Sequence, residues 1–200
     1  MGHAISSAVT RAPFLWPLLR RPIRSFWNGM AGEWDARDRG SPSHLAPLGA
    51  ALTHVTPAPE RVLDIGTGTG TGALLVAREF PQARVRGLDL SPEMVRLAQG
   101  KIGLDPEGRV AFRVGDASAL PWGEDSFDLV TQLNMPPFFG EIARVLRPGG
   151  HVAIAATYGP ATPYYTPEPV LRRGFARHGL EPVQSGGAGD GTFFVARLTA

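Results

Sequence analysis

From Arg61 onward, apolar residues form short continuous runs that alternate with longer runs at helical spacing. The short runs are rich in Val, Ile and Leu and do not alternate with polar residues, which is typical of strands covered on both faces. The pattern predicts strands at Val62–Ile65, Val85–Leu90, Val110–Val114, Phe127–Leu133 and His151–Tyr158. Because helical segments separate these strands, we expect them to run parallel and to be joined by crossover helices.

Residues that cap and break helices mark the predicted boundaries. Ser91 to Glu93 supply a capping side chain, a proline at the first helical position and an acid near the positive helix end. Two final apolar runs, 182–185 and 192–198, flank a Gly-rich turn that predicts an antiparallel hairpin at the sheet edge. The sequence therefore predicts an α/β fold with a doubly wound, mostly parallel seven-stranded sheet and a C-terminal antiparallel hairpin.

Positive charge is concentrated at the amino terminus. Residues 1–32 hold four arginines and no acid, so a net charge of +2 leaves the remainder at −2. The remainder therefore lacks the basic field that nucleic-acid binding requires. Arginines flank the apolar run Ala12–Leu19, which does not fit a signal peptide and is too short to span a bilayer. We expect residues 1–25 to form a basic arm that can remain disordered, with weak peripheral membrane contact through residues 11–24 as the alternative.

The remaining residues, 26–200, have the length of one domain. The chain has no cysteine, which excludes thiol nucleophiles, disulfides and Cys-based zinc sites. This composition is compatible with the reducing cytoplasm, where we expect the protein to reside. We see no metal-ligand cluster and expect no metal.

A glycine-rich turn after the first predicted strand carries the strongest chemical signal. The strand runs into alternating glycines and threonines, and a helical pattern begins at Ala73. Glycine adopts positive φ without steric cost and lets the backbone approach a ligand closely. The helix amino terminus adds free N–H groups. Gly66 and Gly68 are therefore candidate binding residues.

Two acidic residues follow the next two strands. Asp89 ends the second strand, 23 residues beyond Gly66, where a carboxylate can bind ribose hydroxyls. Asp116 lies in a Gly-Asp-Ala sequence after the third strand, where it can accept a hydrogen bond from an adenine amino group. Because the carboxyl ends of parallel strands meet at one edge of a sheet, the pattern predicts a nucleoside site at that edge.

These elements resemble the motifs of the class I S-adenosylmethionine-dependent methyltransferases, especially the small-molecule enzymes of ubiquinone and menaquinone biosynthesis. The likeness covers residues 26–158 and includes VLDIGTGTG, GLDLSPEMV, VGDASALPW and EIARVLRPGG. It implies an S-adenosylmethionine site formed by Asp64, Gly66, Thr67, Gly68, Gly70, Asp89, Leu90, Asp116 and Ala117. The first motif would surround the methionine moiety, the second the ribose and the third the adenine edge. The resemblance also implies methyl transfer to a small-molecule acceptor, with oxygen or carbon slightly favoured over nitrogen.

The chain departs from the family after the fourth strand. Only Asn134–Pro137 bridge that strand and the next helix, where relatives have a longer segment that walls the acceptor pocket. The identity of the acceptor is therefore not carried over. Residues 134–138 resemble the Asn-Pro-Pro-aromatic motif of enzymes that methylate nitrogen, but Met135 interrupts it. Acceptor contact could come from Tyr158, Tyr164 or Tyr165, or from one of His44 and His54, and no catalytic residue is assigned.

An aromatic-rich segment, residues 26–35, resembles the amino-terminal helix that relatives fold over the cofactor. We expect a lid at residues 26–56. Trp27 and Trp34, at i and i+7, could equally form a face that docks on the core. The arginine-rich segment before it matches no motif, so residues 1–22 are expected to contribute little to cofactor binding.

Two other functions fit part of the pattern. Gly68 to Ala73 match the fingerprint of NAD(P)-dependent oxidoreductases, in which Asp64 and the Gly-Asp-Ala sequence have no role. The short acceptor wall is also compatible with a catalytically silent domain that binds cofactor as a regulatory module.

Overall fold

A computed structural model describes Ser6, Val9, Thr10 and residues 12–38, 43–103 and 108–199. Seven strands form one sheet: β1 Arg61–Ile65, β2 Arg84–Asp89, β3 Val110–Val114, β4 Phe127–Leu133, β5 Leu146–Ala156, β6 Leu180–Ala188 and β7 Gly191–Leu198. The strand order is β3-β2-β1-β4-β5-β7-β6, in which the first five positions are parallel and β7 is antiparallel to both neighbours. The predicted fold class and the C-terminal hairpin are confirmed.

Within residues 12–38, 43–103 and 108–199, six α-helices accompany the sheet: α1 Trp16–Asp38, α2 Ala46–Leu52, α3 Thr71–Glu79, α4 Pro92–Lys101, α5 Phe139–Val145 and α6 Glu168–Ala176. The helices bury apolar stripes against both faces of the sheet. Leu48, Val76 and Val95 belong to the cluster on one face. Ile142 and Phe175 belong to the cluster on the other face. Coverage on both sides explains why the strands lack polar alternation.

Capping and helix-breaking residues in the sequence predict most strand and helix boundaries to within a few residues of those observed. The Ser91 hydroxyl accepts a hydrogen bond from the Met94 N–H at 3.2 Å, as expected of a helix cap. The fifth strand is the exception, since it begins at Leu146 and not at His151. Leu146 is fully buried and pairs with Phe127 of β4 before an irregularity in the ladder. Pairing between distant segments thus extends the strand through a Pro-Gly-Gly sequence that locally predicts a break.

Helix α1 passes through the boundary predicted between residues 25 and 26. A 3₁₀ turn at Pro13–Leu15 precedes it, so the described part of the predicted arm is helical from residue 13 onward. The helix is fixed to the body at its first residue and near its middle. Trp16 is buried against the ring of Phe138, and the Ser91 hydroxyl contacts Asn28. None of the helices in the described ranges is both long and apolar enough to cross a membrane.

Candidate functional site

A cavity of about 400 Å³ opens at the carboxyl edge of the sheet. One side consists of the loop after β1, the end of β2 and the turn after β3. The opposite side consists of residues 133–136, 157–158 and 162–164. One face of α1 covers the space between them. The cavity thus lies where open parallel sheets bind ligands, and its size suits a ligand of several hundred daltons.

The glycine turn supports one wall of this cavity. The N–H groups of Gly66 and Thr67 both donate to the Leu88 carbonyl, at 2.8 and 3.1 Å, which draws the turn against the end of β2. Gly66 has φ +70°, and a Cβ there would collide with the Met135 sulfur. Gly66, Thr67 and Gly68 all line the cavity, as the motif predicted. The absence of a side chain at residue 66 therefore lets Met135 pack directly against the turn.

Gly70 has a different place from its neighbours. It caps the amino end of α3 with φ +85° and is absent from the cavity lining. A Cβ there would come 2.7 Å from the Phe112 ring. Gly70 thus packs against Phe112, whereas Thr71 and Gly72, directly after it, line the cavity.

Asp64 is a buried carboxylate beneath the turn. One carboxylate oxygen accepts from the Thr67 hydroxyl at 2.6 Å and the other from the Thr131 hydroxyl at 2.7 Å. Burial raises the pKa of Asp64 to about 6, and the two threonine hydrogen bonds oppose this effect. The negative charge of Asp89 raises the pKa further. A cationic ligand group near Asp64 would favour the ionised form.

Asp89 lies at the end of β2 and faces the same cavity. Its two carboxylate oxygens accept from the backbone N–H groups of Ser91 at 2.8 Å and Gly68 at 2.9 Å. Burial raises the pKa of Asp89, and these backbone hydrogen bonds counteract it. Each oxygen retains acceptor capacity, so the oriented carboxylate can also receive two neighbouring hydroxyl groups.

The residues predicted to bind adenine do not all reach the cavity. Leu90 and Ala117 line it, as does Gly115. Asp116 lies between two lining residues but does not contribute to the lining. Its carboxylate receives the Trp16 indole N–H at 2.8 Å and the Arg20 guanidinium at 3.3 Å. The Asp116 carboxylate therefore contacts Trp16 and Arg20 and does not line the cavity, where the sequence predicts its contact with adenine.

One face of α1 forms the cover of the cavity. The lining residues from this helix are Trp16, Ile23, Phe26, Trp27, Met30 and Trp34. Trp27 and Trp34, predicted to lie in a lid, pack edge to face with ring centroids 5.0 Å apart. Trp16 and Ile23 were missed, although residues 16, 23, 27, 30 and 34 have the spacing of a helix face. Their signal was hidden by the prolines and arginines between them.

The side of the cavity opposite the glycine turn is aromatic, and the described lining there contains no Asp, Glu, Lys or Arg. Tyr158, Tyr164 and His44 line it, together with Met135. Burial raises the pKa of Tyr164, although a hydrogen bond with Trp27 opposes this change. No cluster of three potential metal-binding side chains occurs in the described ranges.

Both polar groups of the Asn134 side-chain amide form hydrogen bonds within the protein. Its side chain donates to the Thr157 hydroxyl at 2.9 Å and accepts from the Thr157 N–H at 2.8 Å. Asn134 also has φ +58°, a left-handed conformation that asparagine tolerates better than most residues. Its amide therefore connects the ends of β4 and β5, which differs from the role that the interrupted Asn-Pro-Pro motif suggested.

Comparison with known proteins matches part of this chain to methyltransferases. Residues 62–150 match the family model described as a methyltransferase domain. The chain is 35% identical over 133 residues to the phthiotriol/phenolphthiotriol dimycocerosates methyltransferase of Mycobacterium leprae, covering 63% of this chain and 48% of that protein. It is 36% identical over 124 residues to the demethylmenaquinone methyltransferase of Deinococcus radiodurans, covering 58% and 50%. The chain thus spans about half the length of these curated relatives.

A solved structure extends the likeness to the whole fold. A methyltransferase from Haloferax volcanii, solved in complex with a methyltransferase activator, superimposes with a TM-score of 0.72 at 24% identity, covering 87% of this chain and 98% of that chain. At this identity the likeness establishes the fold. In the segment 62–150, in sheet order and in its carboxylate-lined turn, the chain is similar to the class I S-adenosylmethionine-dependent methyltransferases.

Proposed function

We propose that the protein transfers a methyl group from S-adenosylmethionine to a small-molecule acceptor. The observation that carries this proposal is the convergence of Asp64, Asp89 and the glycine turn on one cavity whose opposite side is apolar and aromatic. Asp89 would bind the ribose hydroxyls, and Asp64 would attract the ammonium group of the methionine moiety. The sulfonium centre would then point toward the aromatic side.

The residues present suit methyl transfer, which requires alignment more than proton transfer. A sulfonium donor carries an activated methyl group, so the acceptor atom must be held in line with the breaking carbon–sulfur bond at about 3–3.5 Å. Trp27, Trp34 and Tyr164 surround that side and can exclude water from it. No described side chain needs to act as a general base if the acceptor is already nucleophilic.

The acceptor atom is proposed to be oxygen or carbon in preference to nitrogen. In the nitrogen-methylating motif, an asparagine amide orients the acceptor, whereas both polar groups of Asn134 contact Thr157 here. One relative is named a demethylmenaquinone methyltransferase. A flat apolar acceptor also fits the surfaces of Trp27 and Tyr164.

Titration with S-adenosylhomocysteine, followed by a methyl-release assay, tests this function. At a hundredfold excess over the dissociation constant, the ligand is expected to stabilise the fold by about 2.7 kcal/mol through mass action. The melting temperature is measured with S-adenosylhomocysteine and, as the control, with NAD. A response to NAD alone would assign an oxidoreductase. Binding of S-adenosylhomocysteine without methyl release from any acceptor in a broad metabolite panel would assign a silent module.

We also propose weak peripheral contact with anionic membranes through the outer face of α1. Leu18 is 75% exposed, and Phe14, in the turn that precedes α1, is 77% exposed. Arg21 and Arg24 are exposed on the same segment, where the first acidic residue is Glu33. Exposed apolar side chains beside cationic ones match the chemistry of an anionic lipid surface.

Co-sedimentation with vesicles tests this contact. The full chain is expected to sediment with phosphatidylcholine vesicles that contain phosphatidylglycerol, more at low salt than at high salt. The double variant Leu18→Gln/Arg21→Gln should reduce the bound fraction several-fold. The matched control is Val183→Gln/Arg78→Gln, which alters an exposed apolar residue and an exposed arginine outside α1. Equal binding by both double variants would remove the proposal, as would equal binding to vesicles without anionic lipid.

A further inference from the structure

Asp116 is surrounded by donors from its own chain. One carboxylate oxygen accepts from the Ser118 N–H at 2.9 Å, the Ser118 hydroxyl at 2.8 Å and the Trp16 indole N–H at 2.8 Å. The other oxygen faces Arg20 at 3.3 Å. Partial burial opposes ionisation, but hydrogen bonds from Ser118, Trp16 and Arg20 lower the pKa of Asp116 below its ordinary value. The carboxylate is therefore charged and well satisfied without a ligand.

Trp16 stands between this carboxylate and the cavity. Its side chain is only 7% exposed, and it packs edge to face against Phe138 with ring centroids 5.1 Å apart. It shares a buried cluster with Leu88 and Ala117, while Leu90 packs against the same cluster. The indole lines the cavity at the end that Leu90 and Ala117 also form. Two contacts thus hold a large aromatic surface at the end assigned to the nucleobase.

We propose that Trp16 is a cofactor-binding residue, against which the adenine ring packs. Asp116 is in turn a positioning residue that holds the indole and does not itself read the adenine amino group. This inference rests on the proposed function, since it takes S-adenosylmethionine as the ligand. It reverses two expectations from the sequence, which gave Asp116 the direct contact and left residues 1–22 outside the site.

The physical reason lies in what each side chain offers. Aromatic rings bind a planar base through dispersion and burial of apolar area, and a buried indole whose N–H is already satisfied loses little entropy on binding. A carboxylate that already receives four donors has little acceptor capacity left for another N–H. Asp116 also lies outside the lining that its neighbours Gly115 and Ala117 form. Asp116 therefore affects ligand binding through its hydrogen bond to the Trp16 indole.

A pair of ligands separates the two roles. S-Inosylhomocysteine replaces the adenine amino group with a carbonyl oxygen, so it loses any hydrogen bond that the amino group donates. If Asp116 reads the amino group, this ligand binds more weakly to the wild type, and Asp116→Ala removes the difference. If Asp116 only positions Trp16, the ratio of the two dissociation constants is the same in the wild type and in Asp116→Ala.

The experiment is calorimetric titration of both ligands against Trp16→Leu, Trp16→Phe, Asp116→Ala and the double variant Trp16→Phe/Asp116→Ala. We expect Trp16→Leu to weaken S-adenosylhomocysteine binding at least fivefold. The double variant should bind no more weakly than Trp16→Phe alone, because the action of Asp116 depends on the indole N–H. The matched control is Trp122→Phe, which removes an indole that lies outside the cavity lining and packs on Phe127.

Each outcome bears on the inference. Wild-type affinity in Trp16→Leu, or a ligand ratio that changes in Asp116→Ala, would overturn it. If Trp16→Leu fails to fold by circular dichroism, Trp16→Phe and Asp116→Ala still complete the double-mutant cycle and the ligand ratio. A wild-type chain that binds neither ligand would contradict the proposed function itself, which is a separate result.

Discussion

Replacing Asp89 with alanine is expected to weaken S-adenosylhomocysteine binding at least tenfold. The carboxylate can accept from two ribose hydroxyls, and a hydrogen bond to a charged group typically contributes about 1.5–3 kcal/mol. Asp89 also holds the N–H groups of Gly68 and Ser91, so its loss releases the turn that lines the cavity. Calorimetric titration measures the affinity, and circular dichroism establishes that the sheet is retained.

Two further variants sharpen this test. Asp89→Asn keeps one acceptor oxygen, so its affinity should fall between those of the wild type and Asp89→Ala. Glu181→Ala removes an exposed acid on the edge strand β6 and serves as the matched control. Unchanged affinity in Asp89→Ala would show that the ribose does not bind at the end of β2.

Cofactor affinity and fold stability are expected to depend on pH in opposite directions through Asp64. The folded-state pKa of about 6 lies above the ordinary value of 3.8, because burial disfavours the charged form. Between these values the folded chain binds more protons than the unfolded chain. The contribution of Asp64 to the free energy of unfolding therefore falls as the pH rises through this window and is constant above it.

Ligand binding reverses this sign. The ammonium group of the methionine moiety attracts the ionised carboxylate, so binding requires Asp64 to lose its proton. With a pKa of about 6, the apparent affinity should fall about tenfold between pH 7 and pH 5. The measurement is titration of S-adenosylhomocysteine across this range, beside thermal unfolding of the free protein.

Asp64→Asn isolates the contribution of this group. The substitution keeps the shape of the side chain beside Thr67 and Thr131 but removes the titration. We expect a lower affinity at pH 7 and a flat affinity profile between pH 5 and pH 7. The difference in unfolding free energy between wild type and variant should also vary over the window from pH 4 to 6. A wild-type profile as flat as that of the variant would contradict the proposed partner of Asp64.

The sheet could be predicted from the sequence because its signals are local. Continuous apolar runs mark the buried strands, and the Ser91 cap and the turn at Gly66 mark boundaries that depend on a few neighbouring residues. Asp89 was found for the same reason, since the end of β2 fixes its place at the sheet edge. These features depend on short stretches of chain.

The remaining features depend on contacts between distant residues. Trp16 is buried with its N–H donated to Asp116, which lies 100 positions later. The residues next to Trp16 in the sequence do not predict this partner. Gly70 fits both the methyltransferase motif and the dinucleotide fingerprint, yet a Cβ there would contact the ring of Phe112 in β3. The start of β5 depends in the same way on Phe127. Sequence spacing predicts which residues can reach a site, while packing decides which of them do.

The division of the cavity between two sets of segments has a consequence for how such a protein can change. The loops after β1, β2 and β3 form one side, residues 133–136, 157–158 and 162–164 form the other, and α1 covers the space between them. Substitutions on the second side leave Asp64, Asp89 and the glycine turn in place. Under the proposed function, evolution or an engineer can exchange the second side as a module, giving a new methylation specificity while the groups proposed to hold the donor are retained.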